Sequence, residues 1–118
     1  MLSKFLKLFR KATVVVPGAD KLVKGEARTI EVGDYLAGGK QILLCRSPEG
    51  QVYALDTHCP HDEGGKLLPG PLFGGDKAVC PLHNFHFDVR TGKVDKGTCK
   101  SAITYNVKEK NGEFHITF

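Results

Sequence analysis

Two short segments that combine cysteine with histidine hold the side chains best suited to chemistry in this chain. The first is Cys59-Pro60-His61 and the second is Cys80-Pro81-Leu82-His83, with eighteen residues between them. A [2Fe–2S] cluster can take two thiolates on one iron and two imidazoles on the other, so each segment would supply one ligand to each iron. The four predicted ligands are therefore Cys59, His61, Cys80 and His83.

A mononuclear zinc site is the alternative use of the same four side chains. Zinc usually draws two ligands from each segment, with about two to four residues between them, so that both reach one ion. Only one residue separates Cys59 from His61, which is a tight spacing for a single ion. Gly64 and Gly65 permit close approach of the backbone, which agrees with a cluster. A zinc-binding interaction module is the less favoured interpretation.

The other cysteines and histidines are not predicted to be ligands. Cys45 ends an apolar run and is expected to be a buried free thiol, and Cys99 in its polar stretch is expected to be structural. His58 precedes the first segment and is expected to shape its loop. His86 and His115 are expected at strand surfaces. We therefore predict neither a disulfide framework nor a second metal site.

The two segments and their surroundings resemble the Rieske-type ferredoxins and Rieske domains. Residues 52–56 before the first segment and 87–92 after the second are similar to the family's flanking strands and hairpin. The resemblance covers roughly residues 12–118. Residues 80–85 and 97–100, with the closing hairpin, are more specifically similar to the Rieske-like small subunit of NAD(P)H nitrite reductase.

This resemblance implies an all-β Rieske fold, an antiparallel barrel or sandwich with a cluster-binding subdomain at about residues 56–95 inserted at one end. It implies one [2Fe–2S] cluster per chain, with Cys59 and Cys80 on one iron. His61 and His83 would bind the iron that accepts the electron, and their edges would reach the surface.

The resemblance also implies a function and a set of partners. The protein would carry one electron between a flavoprotein reductase and an oxygenase or other acceptor, without catalysing a reaction itself. The alternative is a Rieske-like subunit of a nitrite reductase. No nucleic-acid partner is predicted.

Departures from the family pattern predict a low reduction potential. High-potential relatives have an extra cysteine in each loop, where this chain has Gly64 and Leu82. They also have a serine and a tyrosine near the cluster sulfurs, where this chain has Phe85 and Phe87. Hydrogen bonds to sulfur stabilise the reduced cluster, so we expect a potential near the low end of the Rieske range, about −150 mV.

The elements that position the two segments are predicted from β-branched residues and turn residues. Early strands are expected at 14–16, 30–32, 42–45 and 52–55, with a hairpin turn at 47–50. Apolar and polar residues alternate again at 103–107 and 114–118, and Asn111-Gly112 predicts a hairpin between them.

Length and charge set the remaining expectations. A chain of 118 residues forms one domain, too small to include the catalytic iron domain of an oxygenase. The net charge of +4 lies in residues 1–11. These residues are predicted to form an amphipathic helix with four basic side chains opposite an apolar face. Residues 12–118 are predicted to form the Rieske domain. That helix would lie on an anionic membrane surface or in the groove of an acidic partner, or it would pack its apolar face on its own barrel or on a second copy of the chain. Without an apparent export signal or membrane span, we expect a cytoplasmic protein.

Overall fold

The computed structural model describes residues 13–33, 39–60, 65–82 and 84–117. These residues form ten β-strands and one 3₁₀ turn at Ala19–Lys21. The strands are β1 (Thr13–Pro17), β2 (Glu26–Val32), β3 (Lys40–Arg46), β4 (Val52–Asp56), β5 (Gly70–Pro71), β6 (Lys77–Cys80), β7 (Phe85–Asp88), β8 (Val94–Lys96), β9 (Thr104–Lys110) and β10 (Glu113–Thr117).

The strands form two antiparallel sheets. Seven strands follow the order β1-β10-β9-β4-β3-β2-β5, and three follow the order β6-β7-β8. Strands β4 and β9 are neighbours in the large sheet, and the small sheet lies between them in the chain. This confirms the prediction of an all-β fold with an inserted cluster-binding part.

The predicted hairpins form where turn residues predicted them. The Gly50 N–H donates to the Ser47 carbonyl at 2.9 Å, which closes the turn between β3 and β4. Asn111 and Gly112 have φ of 52° and 73°, as the two central residues of a tight hairpin turn require. One boundary was wrong: β9 begins at Thr104, and Ile103, predicted within this strand, lies outside it with 59% of its surface exposed.

Strand β3 separates two hydrophobic cores. Leu43 and Cys45 face a core shared with the small sheet, whereas Ile42 and Leu44 face a core lined by Phe114 and other residues of the large sheet. All four residues are completely buried, which explains why this strand reads as a continuous apolar run. The first core also contains Cys59 and Cys80, so the two predicted cysteine ligands lie where the two sheets meet.

Residues 1–12 lie outside the described residues, and the predicted N-terminal helix lies there too. Strand β1 pairs Thr13 with Thr117 and Pro17 with Glu113. Within the described ranges, no helix has the length and hydrophobicity needed to span a bilayer.

Candidate metal centre

Asp56 anchors the start of the first predicted metal-binding segment. Its Oδ1 accepts a hydrogen bond from the His58 N–H at 2.8 Å, and its Oδ2 accepts one from the Tyr105 hydroxyl at 2.9 Å. Its own N–H donates to the Ile103 carbonyl at 2.8 Å. Burial, and then the hydrogen bond to Asp56, raises the pKa of Tyr105 to about 12. The tyrosine is therefore a permanent donor that keeps the carboxylate oriented.

The same segment is closed by hydrogen bonds across its base. The Cys59 N–H donates to the Gly65 carbonyl at 3.1 Å, and the Leu67 N–H donates to the Thr57 carbonyl at 2.8 Å. Thr57 is buried, and its hydroxyl donates to the side-chain oxygen of Gln41 at 3.1 Å. The residues that enter and leave the loop are thus fixed to each other and to strand β3.

The second segment begins at the end of β6 and leads directly into β7. The Leu68 N–H donates to the Val79 carbonyl at 3.0 Å, which joins the return of the first segment to the residue before Cys80. Cys80 pairs with Phe85 across the small sheet. Residues 81–84 therefore connect these two strands.

Cys59 and Cys80 come together in the core. Their exposed fractions are 0% and 1%. Burial raises the pKa of Cys80, and a hydrogen bond and electrostatic repulsion from Cys59 raise it further. Backbone N–H groups of Leu82 and Lys66 donate to the Cys80 sulfur and oppose this rise. Two adjacent buried sulfurs with backbone donors aimed at one of them are suited to thiolates whose charge a metal compensates.

The residues present therefore fit an iron–sulfur cluster on the cysteine side. His61 and His83 lie outside the described residues, so the structure does not test the imidazole side. Among the residues that are described, no group of three or more His, Cys, Asp or Glu side chains able to hold a metal is found.

The other two cysteines are free thiols. Cys45 is completely buried on β3, as expected, and burial raises the pKa of its thiol. Cys99 is half-buried and packs against the core that contains Cys59. Burial, and then electrostatic repulsion from Cys59, raises the pKa of Cys99. Neither thiol is in a setting that favours the reactive thiolate.

The expectation that His86 lies at a strand surface was wrong. His86 is on the outer face of the small sheet but is only 5% exposed, because the Phe73 ring lies against it with a centroid separation of 4.4 Å. Sequence reasoning missed this contact because Phe73 lies outside the strand. His115 is half-buried, with Nε2 3.9 Å from Glu113 Oε1, and His58 is exposed.

Apolar carbon occupies the positions at which high-potential relatives place hydroxyls. Phe87 is completely buried and Phe85 is half-buried, and both contribute to the core that contains the two cysteines. A Cβ built on Gly97 would lie 2.4 Å from the Phe85 ring, and Gly97 has φ of 118°. Glycine at position 97 thus leaves room for the ring beside the second segment.

Comparison with known proteins agrees with this geometry. The family model of the Rieske [2Fe-2S] domain matches residues 12–108. The ferredoxin component of naphthalene 1,2-dioxygenase/salicylate 5-hydroxylase systems from Ralstonia sp. is 34% identical over 93 residues, which cover 78% of this chain and 82% of that protein. The chain spans about a quarter or less of the cholesterol 7-desaturases that it also matches, 23% of the one from Hemicentrotus pulcherrimus.

Two solved structures share the fold. The ferredoxin of carbazole 1,9a-dioxygenase from Nocardioides aromaticivorans IC177 has a TM-score of 0.73 and 28% identity, covering 89% of this chain and 96% of the other. A protein described as an NADH-dependent nitrite reductase small subunit, from Mycobacterium tuberculosis, has a TM-score of 0.68 and 18% identity, covering 92% and 96%. At that identity the second likeness shows the fold alone.

Proposed function

Because this chain belongs to the Rieske [2Fe–2S] domain family, with that cluster as its cofactor, we propose that it is a ferredoxin-type carrier of single electrons. The observation that carries the proposal is the pair of adjacent buried sulfurs of Cys59 and Cys80 between the two sheets. The match to a ferredoxin component over most of both chains supports it. When bound, the cluster accepts and releases one electron.

We assign four residues to the cluster: Cys59 and Cys80 to one iron, and His61 and His83 to the other. The two cysteines would hold the buried iron, since both side chains are shielded from water. The N–H groups of Leu82 and Lys66 would stabilise the negative charge on the Cys80 sulfur. The Asp56 carboxylate would keep the first segment in place through its hydrogen bonds to His58 and Tyr105.

The proposed partners are a flavoprotein reductase as donor and a terminal oxygenase as acceptor. This assignment rests on the ferredoxin components of dioxygenase systems that the chain resembles. The alternative role, as small subunit of a nitrite reductase, is supported by no observation beyond the shared fold.

We also propose a cytoplasmic location, because free Cys45 and Cys99 fit a reducing compartment. Residues 1–11 would form the basic amphipathic helix described above and bind an acidic partner surface or an anionic membrane.

Analysis of the native protein for iron and acid-labile sulfide tests the proposal. We expect about two of each per chain, with the visible and EPR spectra of a mixed thiolate–imidazole cluster. Cys59→Ser, Cys80→Ser, His61→Ala and His83→Ala should each abolish the cluster. Cys45→Ser and Cys99→Ser are the matched controls and should keep it. One zinc per chain would overturn the proposal, and cluster loss in a control would show that the cysteines are misassigned.

Reduction by a flavoprotein reductase, followed by oxidation with a Rieske oxygenase, tests the direction of electron flow. The loaded protein should support turnover of the oxygenase, and each ligand variant should not. Turnover at the rate seen without the protein would contradict the carrier role even if the cluster is present.

A further inference from the structure

Asn84, which directly follows His83, has an unusual backbone conformation and a side chain in a hydrogen bond. Its φ is 55°, in the left-handed region that glycine adopts readily and other residues adopt rarely. Its amide oxygen lies 3.1 Å from Nε2 of His86, two residues further along the chain. With Oδ1 as the acceptor, Nε2–H of His86 is the donor.

The burial of His86 makes this hydrogen bond necessary. The imidazole is 5% exposed, and the ring of Phe73 is tilted by 46° against it. Phe73 is itself 60% exposed. Its ring therefore lies between the imidazole and the solvent and shields the imidazole from water. An imidazole withdrawn from water requires a hydrogen-bond partner, and Asn84 supplies one.

His86 is also connected to the other end of the second segment. On the central strand of the small sheet it pairs with Val79, the residue directly before Cys80. Through Val79 it is joined to the residue that enters the segment, and through Asn84 to the residue that leaves it. His86 thus contacts both ends of the second segment, Val79 through the backbone pairing of the sheet and Asn84 through its own side chain.

We propose that His86 is a positioning residue for the second metal-binding segment. Through its hydrogen bond to Asn84 it fixes the residue directly after His83, which the proposed ligand set makes a ligand of the cluster. This inference rests on the proposed ligand set. It assigns a role to a histidine that does not bind the metal. The role of Phe73 is to shield this histidine from solvent.

The test uses variants that remove the hydrogen bond from each side. Asn84→Gly removes the amide and retains the left-handed backbone, and His86→Leu fills the space under Phe73 without a donor. His86→Gln retains an N–H donor and is the rescue variant. His115→Leu, on strand β10 of the large sheet, is the matched control. The measurements are the reduction potential and the EPR spectrum of the reduced, cluster-loaded protein.

We expect N84G and H86L to change the equilibrium constant for reduction in the same direction, by about threefold or more, as coupled residues in contact do. Both should broaden the EPR signal. The double variant should show no further change, because both substitutions break the same hydrogen bond. H86Q and H115L should match the wild type.

Wild-type potentials and spectra in both N84G and H86L would overturn the inference, as would effects that add in the double variant. If H86L does not fold, N84G and H86Q decide: N84G must change the potential and H86Q must not. If the wild type has the expected cluster and the variants match it, only this inference fails. If the wild type has no cluster, the proposed function fails.

Discussion

Replacing Tyr105 with phenylalanine tests whether strand β9 of the large sheet stabilises the first metal-binding segment. The Tyr105 hydroxyl donates to Asp56 Oδ2 at 2.9 Å, and Oδ1 of the same carboxylate accepts from the His58 N–H. The substitution removes one donor from the carboxylate and leaves the ring in place. It therefore changes the anchoring of the segment without creating a cavity.

The expected cost at neutral pH is moderate. A hydrogen bond to a charged group contributes about 1.5 to 3 kcal/mol, and solvent reduces this for a half-buried pair, so we expect Y105F to lose about 1 to 1.5 kcal/mol. The carboxylate retains its hydrogen bond to His58, so the cluster should still assemble. It should be released faster when the protein is exposed to an iron chelator, because the segment opens more often.

The effect of pH on stability has a defined direction. The folded protein holds the pKa of Tyr105 at about 12, above the usual value of 10. The stabilisation that comes from keeping the Tyr105 hydroxyl protonated is therefore complete below pH 10. It is lost as the pH rises from 10 through 12, because the unfolded chain ionises first. The difference corresponds to at most about 2.7 kcal/mol, and solvent screening reduces it to about 1 kcal/mol. Y105F has no phenol to ionise and lacks this loss.

Urea unfolding of the loaded protein from pH 7 to 12, together with chelator-driven cluster release, measures both effects. The matched control is Tyr53→Phe, because the Tyr53 hydroxyl bonds to the exposed Gln51 at 2.6 Å. We expect Y53F to cost less than about 0.5 kcal/mol and to leave cluster release unchanged. If Y105F and Y53F behave alike in both assays, Tyr105 does not stabilise the segment.

Four further outcomes are expected. Arg46 donates five hydrogen bonds, two of them to the Glu109 carboxylate and three to backbone carbonyls; R46K, which lacks the planar fork, should lose about 2 kcal/mol in urea unfolding, and an unchanged midpoint would contradict this. G97A should lose about 2 kcal/mol and alter the cluster spectrum, since its Cβ would displace Phe85; an unaltered spectrum would argue against that contact. Protein-film voltammetry should give a potential near −150 mV that falls as the pH rises above the pKa of the ligand histidines of the oxidised protein, whereas a value of several hundred millivolts positive would require other donors to sulfur. Deleting residues 1–10 should preserve the spectrum and weaken binding to anionic vesicles or the redox partner; unaltered binding with a large drop in Tm would show that this segment belongs to the core.

The sequence predicted most of the fold because its local signals agree with the tertiary structure. The alternation at 114–118 and the Asn111-Gly112 turn specify a hairpin without help from distant residues. The burial of His86 could not be read in this way, because its cover comes from Phe73 on another segment. The link from Tyr105 to Asp56 joins residues 49 positions apart, which no spacing rule identifies. The spacing of cysteine and histidine in the two segments favoured a [2Fe–2S] cluster over zinc, and the family resemblance pointed to the same cofactor.

The position of β3 between the two cores has a consequence for how the molecule comes apart. Residues 42–45 are buried on both faces, so each core is completed by the strand that also completes the other. The loops that carry Cys59 and Cys80 cannot detach from β3 without exposing one side of a strand whose other side is still packed. A slip of one residue along β3 would exchange the side chains that the two cores receive. The metal site and the large sheet therefore form a single cooperative unit. Unfolding of either core would expose one face of β3 and so destabilise the other core.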